Sequence, residues 1–462
     1  MHPEQRDRLL RNTFVDFQQM SAFAEDPLIF SRAEGLYCWD IHGKRYFDAI
    51  GGIFVAVLGH RPPAVLEAIR RQMDELTLAP PLHGISETTL RLYEKLGSVT
   101  PGDLKYIKSF SGGSESVEAA LKFARQYFKQ TGSPGKYKVI SLYLSYHGAT
   151  FAAMAASGNG KRKVKFEPQM PGFVKVFSPI QLRDWFPSWE EANRFAAHLV
   201  EQTIVNENPD TVAAVLIEPI CNTAGIVAPT TEYLAKVRES CSRHNVLLIF
   251  DEVLTGFGRT GDMFAAQTFG VTPDILCSGK GLSGGVIPIG AMIAREGLGD
   301  AFYGAVEEDI QFFHGHTFAG NPLAAAAGIA VIEELTSRGL PAKARSLGAR
   351  LRERLEGLKR IGVVREVRGS GVLLGVELVE DAGSNRPYPE ERKLGDALKK
   401  TALRNGLIMR IDPDWFAVSP PLIAGEAQID ELGDLIEKSL REAMDVAAPR
   451  TGVRRGKHGA GG

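Results

Sequence analysis

The chain has 462 residues, with 54 Lys and Arg against 55 Asp and Glu and 44% hydrophobic residues. Such a length provides for about three domains or one large lobed subunit, with no need of disulfide or metal staples. A net charge of -1 excludes a nucleic-acid binder held by a basic face, and the ordinary hydrophobicity excludes disorder as the main state.

Met1 to Arg11 is polar, carries both signs of charge and lacks the apolar core of a signal peptide. Tyr37, Trp39 and Ile41 alternate as in a strand, Asp40 to Lys44 makes a turn, and Tyr46-Phe47 resumes the strand. Pro62-Pro63 opens a helix expected to bury Leu66, Ile69 and Met73. From about residue 104, buried strands alternate with helices. Val212 to Ile217 ends at Glu218-Pro219, Val246 to Phe250 ends at Asp251-Glu252, and Ile275 to Cys277 ends at Ser278-Gly279-Lys280. Apolar runs separated by helices predict a mainly parallel sheet with crossovers. Beyond about 330 the pattern is a long charged helix, strands around 372 to 378 and a last helix over about 427 to 444, read as a separate α+β lobe. Residues 449 to 462 hold Arg450, Arg454, Arg455 and Lys457 without an acid and read as a disordered basic tail. No run of about 18 apolar residues exists, so no membrane span is expected. Cys38, Cys221, Cys241 and Cys277 form no CxxC pair and read as reduced, buried thiols of a cytoplasmic protein.

Three motifs attract other readings. Gly256 to Gly261 matches GxGxxG but lies five residues past Asp251, where a glycine-rich turn fits better than a dinucleotide site. Gly281 to Gly285 matches GxSxG, yet no strand leads directly into Ser283. His314-Gly315-His316 offers two ligands without a third, so a loop pair is expected and no metal site.

Ser111-Gly112-Gly113-Ser114-Glu115-Ser116 follows a short strand and precedes a helix with Val117, Ala120, Leu121 and Ala124 on one face. It is either an anion cradle of free N–H groups at a helix N-terminus or a glycine turn capped by Ser114. Ligands in open parallel sheets sit outside the carboxyl ends of the strands, where Asp251 and Lys280 both stand. A phosphate cradle, an aromatic plate at Tyr146-His147-Gly148, a carboxylate at Asp251 and an amine at Lys280 suit pyridoxal phosphate. Its phosphate needs donors, its ring a stacking partner, its pyridine nitrogen a carboxylate and its aldehyde a lysine.

With these residues in place, the chain resembles a class III aminotransferase of the omega type, over about residues 25 to 445. The motifs are Ser111 to Glu115, Tyr146-His147-Gly148, Glu218-Pro219, Asp251-Glu252-Val253 with Thr255 to Gly261, Ser278 to Gly281, His316 to Pro322 and Pro420-Pro421-Leu422. The resemblance implies an α/β fold of the pyridoxal-phosphate fold type I. Residues 1–62 would be an N-terminal segment of the small domain, 63–330 the large cofactor-binding domain and 331–448 the C-terminal small domain. It implies that Gly113 and Ser114 bind the phosphate, that Tyr146 and Val253 pack on the two ring faces, and that Asp251 holds the pyridine nitrogen. Lys280 would be the Schiff-base and catalytic lysine, Glu218 a supporting acid, and Thr317 a phosphate ligand of the neighbouring subunit. The active unit would then be a homodimer or a tetramer. Phe54, Tyr146 and Thr223 resemble substrate-pocket positions. The implied activity is ping-pong transfer of an amino group from an amine or amino acid to pyruvate or an aldehyde. A lyase, epimerase or decarboxylating transaminase of the same family is the alternative. The chain departs from the family pattern at Glu426, where many members carry an arginine four residues after the Pro-Pro-Leu leucine. Glu426 is either a first-turn helix residue or a repulsive group at the pocket that disfavours dicarboxylates. Arg410 would assist a small keto acid if its side chain points inward.

Overall fold

The computed structural model describes residues 3–389 and 394–447; the expected basic tail lies outside the described residues. Its centre is a seven-stranded sheet. The strands in chain order are β1 (Phe30–Glu34), β2 (Tyr37–Asp40), β3 (Arg45–Asp48), β4 (Leu104–Phe110), β5 (Lys138–Leu142), β6 (Phe173–Val176), β7 (Val212–Ile217), β8 (Leu247–Asp251), β9 (Ile275–Ser278), β10 (Gly290–Arg295), β11 (Val364–Ser370), β12 (Leu373–Leu378), β13 (Leu407–Ile408), β14 (Arg410–Asp412) and β15 (Trp415–Val418). The large sheet runs β4-β10-β9-β8-β7-β5-β6. Strands β6, β5, β7, β8 and β9 are parallel, and β10 lies antiparallel between β9 and β4.

The apolar runs follow from this position. Successive side chains of a strand point to opposite faces, and here both faces are covered. Val215, Ile217, Leu248 and Phe250 join the core under the helices Trp189–Asn206 and Thr231–Arg243. Ala214, Leu216, Leu247, Ile249 and Ile275 join the core under the helix Gly113–Gln130. That helix buries Val117, Ala120, Leu121 and Ala124, the stripe its sequence shows.

Two smaller sheets flank the centre. The antiparallel sheet β11-β12-β15-β14 packs with the helices Leu340–Glu356, Leu394–Arg404 and Glu426–Ala447. The sheet β1-β2-β3-β13 joins the two ends of the chain, with Leu407 beside Phe47 in parallel register. Residue 330, expected at a domain boundary, falls inside the helix Pro322–Ser337. The charged helix expected after it begins only at Leu340, past Gly339 in the left-handed region at φ 58°.

One expected face is corrected. The helix Pro63–Glu75 buries Val65 and Gln72 rather than Leu66 and Met73, and Met73 is 56% exposed. Stripes one residue apart differ by about 100° of rotation. The polar Gln72 hid the true one, since it is held inside by Thr88 Oγ1 at 2.7 Å and the Leu76 carbonyl at 3.0 Å. On β2 the alternation places Cys38 and Asp40 inward. Asp40 organises the turn there, accepting from the His42 and Lys44 N–H groups and from Tyr46 Oη at 2.8, 2.9 and 3.0 Å.

Candidate active site

Five strands of the large sheet deliver side chains to one place, all from their carboxyl ends. β4 leads to Gly112 and Gly113, β5 to Tyr146, β7 to Glu218, β8 ends at Asp251, and β9 leads to Lys280. Gly113, Ser114, Tyr146, Glu218, Asp251 and Lys280 line a cavity of about 190 Å³, with Val253 also in its wall.

The floor at Gly113 is set by contact distance. A Cβ on Gly113 would stand 2.6 Å from Val253 Cγ1, so glycine here leaves room for the Val253 side chain. Gly112 caps the following helix without a side chain. Ser114 does not cap that helix; its Oγ accepts from the Ala149 N–H at 3.1 Å, which removes the capped-turn alternative. No group among the described residues accepts from the Gly113 or Ser114 N–H. Free N–H donors and a helix dipole at one spot form an anion site.

Lys280 follows Gly279 and has φ 40°, a strained value for a residue with a side chain. Burial pushes its ammonium below the usual lysine range, opposed by the charges of Asp251 and Glu218. A neutral amine is the nucleophilic form. Asp251 is 6% exposed. Its Oδ1 accepts from the Val253 N–H at 3.1 Å and its Oδ2 lies 2.8 Å from His147 Nδ1. An ionised carboxylate only accepts, so His147 donates from Nδ1. His147 Nε2 is buried without a partner.

Glu218 accepts from the Tyr146 N–H at 2.9 Å and the Asn222 N–H at 3.2 Å. It therefore fixes the segment that carries the aromatic plate. Burial raises its carboxyl pKa, with the His147 charge opposing. The buried Thr255, Leu254, Ile220 and Asn222 complete the wall.

Not every expected residue is brought together. Phe54 is buried in the core beside Ile50 at φ 64° and does not line the cavity. Thr223 is buried, with its hydroxyl donating to the Leu144 carbonyl, one residue beyond the cavity wall at Asn222. Thr317 is exposed on the loop before Pro322 and lies outside the cavity of its own chain. Glu426 is 75% exposed in the first turn of its helix and pairs with Arg350 at 3.3 Å. It too lies outside the cavity.

The competing motifs resolve structurally. Gly256 to Gly261 forms turns after β8 and opens no helix, and Arg259 within it is fully buried against the Ser419 and Pro420 carbonyls. Ser283 donates to the Ile287 carbonyl from a buried position. His314 Nδ1 accepts from Lys122 Nζ at 2.8 Å. All four cysteines are buried and unbridged.

Sequence reasoning named His147 only within the Tyr146-His147-Gly148 motif, with no role of its own, and missed Asn222. His147 stands next to the recognised Tyr146, and that adjacency was the one signal available. Nothing local announces Asn222.

The residues present fit pyridoxal phosphate. The anion cradle, the carboxylate and the amine face one cavity, and the cradle is one that a Gly113 Cβ would fill. Comparison with known proteins agrees. The family model described as "Aminotransferase class-III" matches residues 20–440. A probable aminotransferase of Mycobacterium tuberculosis is 37% identical over 439 residues, covering 94% of this chain and 93% of the relative. An (S)-enantioselective omega-transaminase from Thermomicrobium roseum has TM-score 0.92 and 32% identity, over 96% of this chain and 100% of that one. The omega transaminase of Pseudomonas jessenii in complex with PMP has TM-score 0.91 and 30% identity, over 97% of this chain and 100% of that one.

Proposed function

The chain belongs to the class III aminotransferases, which are pyridoxal-phosphate enzymes, and on that premise we propose that it moves the amino group of a primary amine or amino acid to pyruvate or a simple aldehyde. The observation that carries this reading is the meeting of Lys280, Asp251 and the unpartnered N–H groups of Gly113 and Ser114 in one cavity.

The cofactor supplies an aldehyde that condenses with amines and a pyridinium ring that withdraws electron density. The protein does the rest. Gly113 and Ser114 hold the phosphate through backbone N–H groups. Asp251 would hold the ring nitrogen in its protonated form, since a buried carboxylate and a pyridinium each favour the charged form of the other. Tyr146 and Val253 fix the ring plane from its two sides. Lys280 Nζ would take the proton from the donor carbon that bears nitrogen and pass it, on the same face, to the cofactor carbon that had carried the aldehyde. The donor leaves as ketone or aldehyde, and the acceptor leaves as amine by the reverse steps. Glu218 acts through Tyr146 and Asn222 and is a positioning residue. Glu426 stays outside this site.

Two further parts of the reading concern assembly. Thr317 is exposed and free to serve a neighbouring subunit. Met73, Leu76, Leu78, Leu82 and Ile85 are exposed apolar side chains that a partner subunit would cover. A homodimer accounts for both.

The test is a panel of arylalkylamine, diamine and amino-acid donors against pyruvate, 2-oxoglutarate and an aldehyde, with products identified. Amino transfer with pyruvate or aldehyde above 2-oxoglutarate is expected. Elimination, racemisation or decarboxylation without amino transfer refutes the reading.

A further inference from the structure

One cation near the site has no ion-pair partner among the described residues. Arg162 closes the short turn Gly160–Arg162 after the helix Phe151–Ala156. Its guanidinium carbon lies 5.0 Å from the ring centroid of Tyr146 and 4.4 Å from that of Phe17. Tyr146 lines the cavity that holds Lys280. Among the described residues, no carboxylate lies within ion-pair distance of Arg162 and no side-chain hydrogen bond uses it.

Stacking on aromatic rings engages the faces of a guanidinium and leaves its in-plane N–H donors free. Those donors have the geometry to take both oxygens of a carboxylate. Of the two arginines whose charges reach Lys280, Arg259 is fully buried and Arg410 is already committed. Its Nη1 donates to Asn222 Oδ1 at 2.9 Å, its Nε to Asp412 Oδ2 at 3.1 Å, and it stacks over Trp415 at 4.6 Å. Asn222 stands in the cavity wall, so Arg410 supports that wall with its charge balanced by Asp412. Burial and then the Arg410 charge hold Arg162 below the usual arginine range, opposed by Tyr146 and Asp412. An anion bound at Arg162 would relieve that repulsion.

Building on the aminotransferase reading, we infer that Arg162 binds the single carboxylate of a keto-acid acceptor, in place of the arginine that Glu426 replaces. Its donors are free, it stacks on a residue of the cavity wall, and Glu426 lies outside the cavity. The half-buried Arg162 guanidinium provides for one carboxylate, whereas Arg259 is fully buried against the Ser419 and Pro420 carbonyls. A second carboxylate on the same substrate finds Arg410 already engaged. The acceptor class is therefore a monocarboxylate keto acid.

The experiment uses the holoenzyme and its Arg162→Gln and Arg162→Lys variants with one arylalkylamine donor. kcat/KM is measured for pyruvate and for a small aldehyde, and cofactor absorbance is recorded for each variant. Arg162→Gln should lower the pyruvate-to-aldehyde ratio by about 10- to 100-fold, the range for a lost hydrogen-bonded contact to a charged group. Most of the loss should appear in KM for pyruvate, and Arg162→Lys should restore part of it. An unchanged ratio overturns the assignment, as does an equal fall for both acceptors, which would mean that Arg162 acts through Tyr146 or Phe17. A wild-type enzyme without amino transfer to either acceptor fails the parent reading instead, and the inference falls with it.

Discussion

Replacing His147 by Leu tests whether Asp251 depends on its neighbour. His147 is 3% exposed and its Nδ1 is 2.8 Å from Asp251 Oδ2. Leu has no donor, so Asp251 would keep only the Val253 N–H on its other oxygen. Losing a hydrogen bond to a charged group costs about 1.5–3 kcal/mol. If that cost falls on the ionised carboxylate that faces the pyridine nitrogen, the rate drops about 10- to 150-fold at 1.36 kcal/mol per tenfold. Asn at the same position keeps an N–H donor near Nδ1 and should lose less. The assay is a single-turnover half-reaction with an amine donor, followed by cofactor absorbance. A Leu variant as fast as wild type refutes the reasoning. Equal losses for Leu and Asn would mean that packing volume, not the donor, is what His147 supplies.

Gly113→Ala should weaken cofactor retention, because its Cβ would sit 2.6 Å from Val253 Cγ1, an overpacking that costs about 1–3 kcal/mol. Equilibrium dialysis checks it, and Val253→Ala in the same chain should recover part of the loss. The His60 pKa is raised to about 10 by its hydrogen bonds to Asp48 and then Cys38, above the unfolded value near 6.5. The stability this gives is fully present below pH 6.5 and is lost as pH rises towards 10. Urea unfolding of wild type should therefore weaken across that window, and Asp48→Asn should flatten the trend while costing about 3 kcal/mol at neutral pH. Glu426→Gln removes an exposed ion pair and should change stability by less than about 1 kcal/mol, with the acceptor order unmoved; a shift of the acceptor order would place Glu426 at the substrate after all.

Strand ends carried most of the legible information. An apolar run buried on both faces and ending in Asp251, or in Ser278-Gly279-Lys280, marks the carboxyl edge of a parallel sheet without any knowledge of strand order. The glycines at 112 and 113 marked a helix start for a similar local reason. What stayed hidden depends on distant pairing. Asp251 and His147 are 104 residues apart, and Arg410 and Asn222 are 188 apart. Only the sheet order β8-β7-β5 and the return of β14 bring these groups together. The helix Pro63–Glu75 was misread by one residue because its inward Gln72 satisfies its own amide and so breaks the apolar stripe. Glu426 looked informative through its departure from a family pattern. Its place opposite Arg350 follows from how the helices Leu340–Glu356 and Glu426–Ala447 pack, which no local pattern states.

The central claim is that Lys280 is the lysine that meets the cofactor. Borohydride reduction of the holoenzyme, followed by proteolysis and mass mapping of the pyridoxyl label, tests it directly. Burial also holds Lys108, Lys136, Lys175 and Lys343 below the usual lysine range, and none of them lines the cavity. Lys175 is pushed down to about 7 by burial, but its Nζ donates to Ser141 Oγ at 2.9 Å and the Ala155 carbonyl at 2.8 Å, away from the cavity wall. Lys136 is held by four backbone carbonyls. The account predicts the label on Lys280, and its loss in Lys280→Ala with the fold intact. A label on Lys175 or Lys136, or an unlabelled Lys280 in active enzyme, would contradict it.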